Sequence, residues 1–99
     1  MKKPEPIVQA DTEDGQAAGE AMVEAIENQI RDNDPPETKA ALKRLMKLGE
    51  TRENAIRYIA CALSVEFFEM LQKNNPYDAA RYAANLNALP ELPYDENEI

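Results

Sequence analysis

The sequence has no histidine and no tryptophan, one cysteine, three glycines and two phenylalanines in 99 residues. Each scarcity closes a route. Without histidine there is no Ser-His-Asp or Cys-His catalysis and no imidazole-ligated zinc. A single cysteine, Cys61, cannot form an internal disulfide, and a lone thiol suits a reducing compartment. No apolar run approaches the roughly 18 residues of a membrane span. The longest, 58–65, is bracketed by Arg57 and Glu66. Met1-Lys2-Lys3 carries the charge of a secretion leader, yet Pro4, Glu5 and Pro6 follow where an apolar stretch is needed. There is no Gly-rich phosphate loop and no Gly-x-Ser-x-Gly. The expectation is a cytoplasmic protein, not an enzyme, with no cofactor and no membrane partner.

What is present points to one small helical domain. Apolar residues make up 43% and charged residues 30% of the chain, a balance that supports a core. Eleven Lys and Arg against nineteen Asp and Glu leave a formal charge of −8, which argues against a nucleic-acid partner. Met22, Ile26 and Ile30 recur every four residues and predict a first helix over 12–32, capped by Asp11 or Thr12. Asn33-Asp34-Pro35-Pro36 ends it and starts a second over 36–48, burying Ala41, Leu42, Leu45 and Leu48. Gly49 suits a left-handed C-terminal residue, and Thr51 caps the next start.

The third predicted helix, 52–73, carries Ile56, Ile59, Leu63, Phe67, Met70 and Leu71 in one stripe. Ala55, Ala60, Ala62, Val65 and Phe68 widen it, so this helix has to be covered on several sides. Asn74-Asn75-Pro76 then predicts a fourth helix over 76–88, with Tyr77, Ala80, Ala84, Leu86 and Leu89 inward. No segment alternates like a strand. The predicted architecture is an all-α, four-helix bundle-like domain over 12–89, between an extended arm at 1–11 and an acidic tail at 90–99.

Charge is unevenly spread. Residues 1–34 carry −6, residues 61–99 carry −5, and residues 35–60 carry +3. The positive block is Lys39, Lys43, Arg44, Lys47, Arg52 and Arg57. It reads as helix-two cations paired with acidic helix one, or as a docking patch for an acidic partner or phosphate. Glu24 with Glu27, and Glu66 with Glu69, put two carboxylates on one helix face, a geometry that can ligate a divalent metal. Di-iron bundles use Glu-x-x-His as well, which this chain lacks, so no metal is expected and Glu66 and Glu69 read as a solvated edge. Cys61 among Ile59, Ala60, Ala62 and Leu63 reads as a small buried hydrophobe. Tyr58, Tyr77, Tyr82 and Tyr94 read as core-edge residues with hydroxyls reaching water.

Glu27-Asn28-Gln29-Ile30, Asp34-Pro35-Pro36-Glu37, Leu42-Lys43-Arg44-Leu45-Met46 and Thr51-Arg52-Glu53-Asn54-Ala55-Ile56 occur in succession. This succession resembles a family of short, uncharacterised bacterial all-helical proteins, a domain of unknown function, over 17–89. The resemblance implies a bacterial helical fold and supplies no activity. The relatives carry histidines on the first and third helices. Here Glu53 and Arg57 stand where the third helix's histidines fall.

The leading functional expectation is a non-catalytic module that binds a protein partner or itself, as a homodimer. Tyr58, Val65 and Phe68 are the predicted interface, since a ring at 68 points about 100° away from one at 67. The alternative is a degenerate or accessory enzyme-like domain holding a metal or anion through Glu24, Glu27, Glu53, Arg57 or Glu66. A third reading has the acidic residues 91–99 contacting a basic protein.

Overall fold

A computed structural model describes the backbone of residues 13–93 and the side chains of residues 19–93. The predicted arm at 1–11, the Asp11 or Thr12 cap and most of the acidic tail lie outside the described residues. Four helices follow in order: α1 Glu13–Asp32, α2 Pro36–Lys47, α3 Arg52–Gln72 and α4 Ala79–Ala88. Among the described residues there is no strand. The all-α prediction holds, and the first three helices start and stop within a residue of their predicted bounds.

Those boundaries have a common chemistry. Asn33, Gly49 and Asn74 all adopt positive φ, at 52°, 103° and 55°, the left-handed conformation that closes a helix. After α1 the Asp34 N–H donates to Gln29 O at 3.0 Å, and after α2 the Glu50 N–H donates to Leu45 O at 3.1 Å. Both bonds recover carbonyls that the helix leaves open. Pro36 begins α2 where no N–H is needed. Thr51 begins α3 by accepting the Asn54 N–H at 3.0 Å.

The fourth helix departs from the prediction: it starts at Ala79, and residues 74–78 form an irregular connection. Asp78 is its cap, accepting the Arg81 N–H at 3.0 Å, and its own N–H is held by Glu66 Oε1 at 2.8 Å. That cap fixes the helix phase, so Tyr82, Leu86 and Leu89 face inward while Tyr77, Ala80 and Ala84 stay exposed. Leu48, expected in the core, is 63% exposed because α2 has ended and the chain is turning at Gly49.

Helices α2 and α3 form the central pair, each in contact with the other three, while the backbones of α1 and α4 do not approach one another. Residues 58–64 of α3 are all buried. They pack with Met22 and Ile26 of α1, Ala41, Leu42 and Leu45 of α2, and Tyr82, Leu86 and Leu89. Tyr58, predicted at an exposed interface, is therefore core, since on a helix enclosed at this level no side remains for it to face water.

One polar cluster lies inside this core. Tyr82 Oη and Thr38 Oγ1 each donate to Gln29 Oε1 at 2.8 Å, joining α4, α2 and α1 at one acceptor. Burial pushes the Tyr82 hydroxyl up to about 12. A tyrosine whose folded pKa is raised stabilises the fold below its ordinary value near 10. That contribution disappears as pH climbs through the folded value. The wild type is expected to lose stability above about pH 10, and Tyr82→Phe to weaken that dependence, as read from urea midpoints across alkaline pH. Leu63→Ala is expected to cost about 2–5 kcal/mol in the same measurement at neutral pH, with an unchanged denaturant slope.

Candidate interaction surface

Two charged constellations lie along α3, one at each end. At the C-terminal end, Glu66 is fully buried and takes a two-pronged contact from Arg81, Nε to Oε2 at 2.7 Å and Nη2 to Oε1 at 2.9 Å. Its Oε1 also accepts the Asp78 N–H, so both carboxylate oxygens are engaged. Glu66 was expected on a solvated edge. It is buried because the segment 73–78 folds back over it and brings a cation with it.

Glu69 completes this end. Its Oε1 accepts from Asn75 Nδ2 at 3.0 Å, and its Oε2 lies 3.2 Å from Lys73 Nζ. The Asn75 hydrogen bond, then Lys73, hold its carboxyl below the usual range. The hydrogen bond to Glu66 raises the Arg81 guanidinium above its already high value. Burial raises the Tyr77 hydroxyl, with the charge of Glu66 contributing next in the same direction. The constellation is a clasp that fixes where α4 begins.

At the N-terminal end, Arg52 reaches across to α1 and grips Glu27 with both prongs, at 2.8 and 2.7 Å. That bond draws the Glu27 carboxyl below its usual value and raises Arg52. One turn on, Arg57 lies 3.7 Å from Glu53. These four side chains line a groove between α1 and α3 with Val23 and Ile56. The structure thus gathers Glu27, Glu53 and Arg57 of the metal-or-anion alternative and pairs each with an opposite charge. Glu24 is exposed and forms none of the groove wall. Glu66 is thirteen residues farther along α3 than Glu53, about 20 Å away. Among the described residues, no three His, Cys, Asp or Glu side chains are grouped to hold a metal ion.

The predicted interface also divides. Tyr58 is buried, Val65 is half-buried, and Phe68 is 49% exposed. Leu71, expected in the inward stripe, is 78% exposed on the same side of α3, three residues beyond Phe68. Toward this end of α3 the inward stripe gives way to half-buried Phe67 and Met70. Lys73 Nζ sits 5.5 Å from the Phe68 ring centre, covering part of one face. Cys61 is buried, three residues before Ser64, whose hydroxyl donates to the Cys61 carbonyl at 2.7 Å. No helix among the described residues is long and apolar enough to cross a membrane. The chain matches no protein-family model, no curated protein and no solved structure.

The energetic weight of the clasp is testable. Glu66→Ala leaves Arg81 without its buried partner and abandons the Asp78 N–H, and is expected to destabilise the protein by about 3–5 kcal/mol. Glu66→Leu combined with Arg81→Met should recover much of that loss, because the lone charge goes with its partner. Chemical denaturation of the three variants beside the wild type measures both.

Proposed function

We propose that this protein is a non-catalytic interaction module whose contact surface is the outer side of α3 at its C-terminal end, with a second copy of the chain as its occupant. The supporting observation is the apolar surface of Phe68 and Leu71, continued by half-buried Val65, on the helix that organises the domain. Exposed apolar side chains grouped this way mark contact surfaces. An apolar face is self-complementary, so a two-fold axis that lays α3 against its counterpart buries the same residues on both partners. A domain of this size also gains stability by covering such surface.

The setting that accompanies this reading is cytoplasmic and bacterial. The first follows from the lone cysteine, the second from the resemblance to short bacterial helical proteins. The charged groups on the α1–α3 groove favour the module over an enzyme-like site, since Glu27, Glu53 and Arg57 are each neutralised within the chain.

The wild type is expected to dimerise at micromolar concentration in light scattering. Phe68→Glu and Leu71→Glu, each placing a charge in the contact, should give monomers with unchanged far-ultraviolet circular dichroism. A wild type that stays monomeric at hundreds of micromolar overturns the dimer.

A further inference from the structure

Helix α2 separates the positive block of residues 35–60 into two sets of different use. Arg44 turns inward: its Nη2 donates to Leu86 O at 2.8 Å and Leu89 O at 2.9 Å, closing the end of α4. Arg52 is held by Glu27, and Arg57 lies beside Glu53. Lys39, Lys43 and Lys47 remain, and among the described residues none of the three has an ion-pair partner. Their spacing of four residues puts them in one stripe about 12 Å long. The buried face of α2 is Thr38, Ala41, Leu42 and Leu45, so the stripe looks away from the core.

The rest of that outer face is not ordinary solvated surface. Met46 is 44% exposed beside the stripe. A depression toward the start of α2 is lined by Asn33, Pro36, Lys39, Ala40 and Lys43, with the short Ala40 side chain between the two lysines. No carboxylate lines it. Glu37, the acid on this helix, lies toward the opposite edge, where its charge reaches Tyr77.

We infer that the outer face of α2 is a second docking surface, and that its occupant is an acidic amphipathic helix from a partner protein. The lysine stripe matches carboxylates repeated every four residues on a partner helix, and the depression at Ala40 admits one of its side chains. Met46, beside the stripe, meets the apolar edge of the same helix. The chain's net charge of −8 selects against a long polyanion such as nucleic acid or an anionic membrane. Screening confines that repulsion to within about 8 Å at physiological salt, so a short acidic segment seated directly on the lysines is favoured where an extended one is not. This surface is separate from the α3 face at Phe68 and does not depend on dimerisation.

The test uses the full chain and a labelled synthetic helical peptide with Glu at every fourth position and Leu along one side, read by fluorescence anisotropy. The expected result is saturable binding that weakens at least about tenfold when salt rises from about 50 to about 300 mM. Lys39→Glu/Lys43→Glu/Lys47→Glu should lose binding at least about tenfold while Phe68→Glu keeps it, so the fate of the α3 contact is read separately. If the triple variant misfolds by circular dichroism, Lys39→Gln/Lys43→Gln/Lys47→Gln replaces it, with the same loss expected. Absence of saturation, equal binding of a peptide with Gln in place of Glu, or equal binding by the folded lysine variant overturns the inference. Tighter binding of a single-stranded oligonucleotide or of phosphatidylserine vesicles overturns the choice of a protein partner. Loss of self-association in the lysine variant would assign the face to a second copy and overturn it as well.

Discussion

A helix buried around its whole circumference has to be enclosed, and α3 is such a helix between Tyr58 and Ser64. Its burial sets the positions of the other three elements. Small side chains at Ala55, Ala60, Cys61, Ala62 and Ser64 let neighbours approach from several directions, while Ile56, Ile59 and Leu63 supply bulk between them. Helix α2 lies directly against this surface, and α1 and α4 each pack against the pair. The enclosure is complete over 58–64. Toward the C-terminal end of α3 the apolar side emerges at Phe68 and Leu71. The contact surface proposed for this protein is thus a continuation of the helix that organises its core.

Apolar enclosure alone does not set the rotation of each helix, because hydrophobic attraction has no direction. Three polar devices supply it. Gln29 accepts from both Thr38 and Tyr82, linking α1 and α4, whose backbones do not approach one another. Arg44 holds the terminal carbonyls of α4 to α2. Glu66 binds Arg81 and the Asp78 N–H, which fixes the residue at which α4 starts. The last two of these devices hold a charged group, part-buried Arg44 and fully buried Glu66, and each satisfies it with more than one hydrogen bond. Such arrangements tolerate little displacement, which makes them suited to specifying one arrangement among several with similar apolar contacts.

The parts of this fold legible in the sequence are those written in local chemistry. Asn33 with Pro35 and Pro36, Gly49 with Thr51, and Asn74 each act within a few residues, so three helix ends could be read directly. The stripe of Ile56, Ile59 and Leu63 was equally plain, because helical period is a local property. What could not be read depended on residues far apart in the chain. Glu66 looks like a surface acid until Arg81, fifteen residues later, folds onto it. Tyr82 looks like a core-edge aromatic until Gln29, fifty-three residues earlier, offers its hydroxyl an acceptor. The start of α4 has the same source: Asp78, and not the Asn74-Asn75-Pro76 signal, sets it, because Glu66 holds the Asp78 N–H. For the candidate surface, Phe68 and Val65 were identified from their angular distance from Phe67. Tyr58 was misplaced because the same wheel cannot say how many neighbours a helix has.

The distribution of charge follows from the same geometry. A positive block in an acidic chain suggests neutralisation by the acidic segments around it, yet only half of the block is engaged within the chain, and Arg52 alone is held by one of those segments. The three arginines are the half that is used, through forked contacts in two cases, Arg44 to a pair of carbonyls and Arg52 to a carboxylate. The three lysines are the half left over. That division has a physical basis, since a planar guanidinium offers several fixed donors and loses less freedom per bond than a flexible ammonium. Internal chemistry therefore draws on arginine, and the lysines of α2 are left facing outward in a row. An outward row of cations on an otherwise acidic molecule makes the surface strongly dipolar, so approach of a charged partner is oriented before contact. On this molecule the orienting field, the exposed Met46 and the depression at Ala40 lie at the same face, and that coincidence distinguishes α2 from a merely solvated helix.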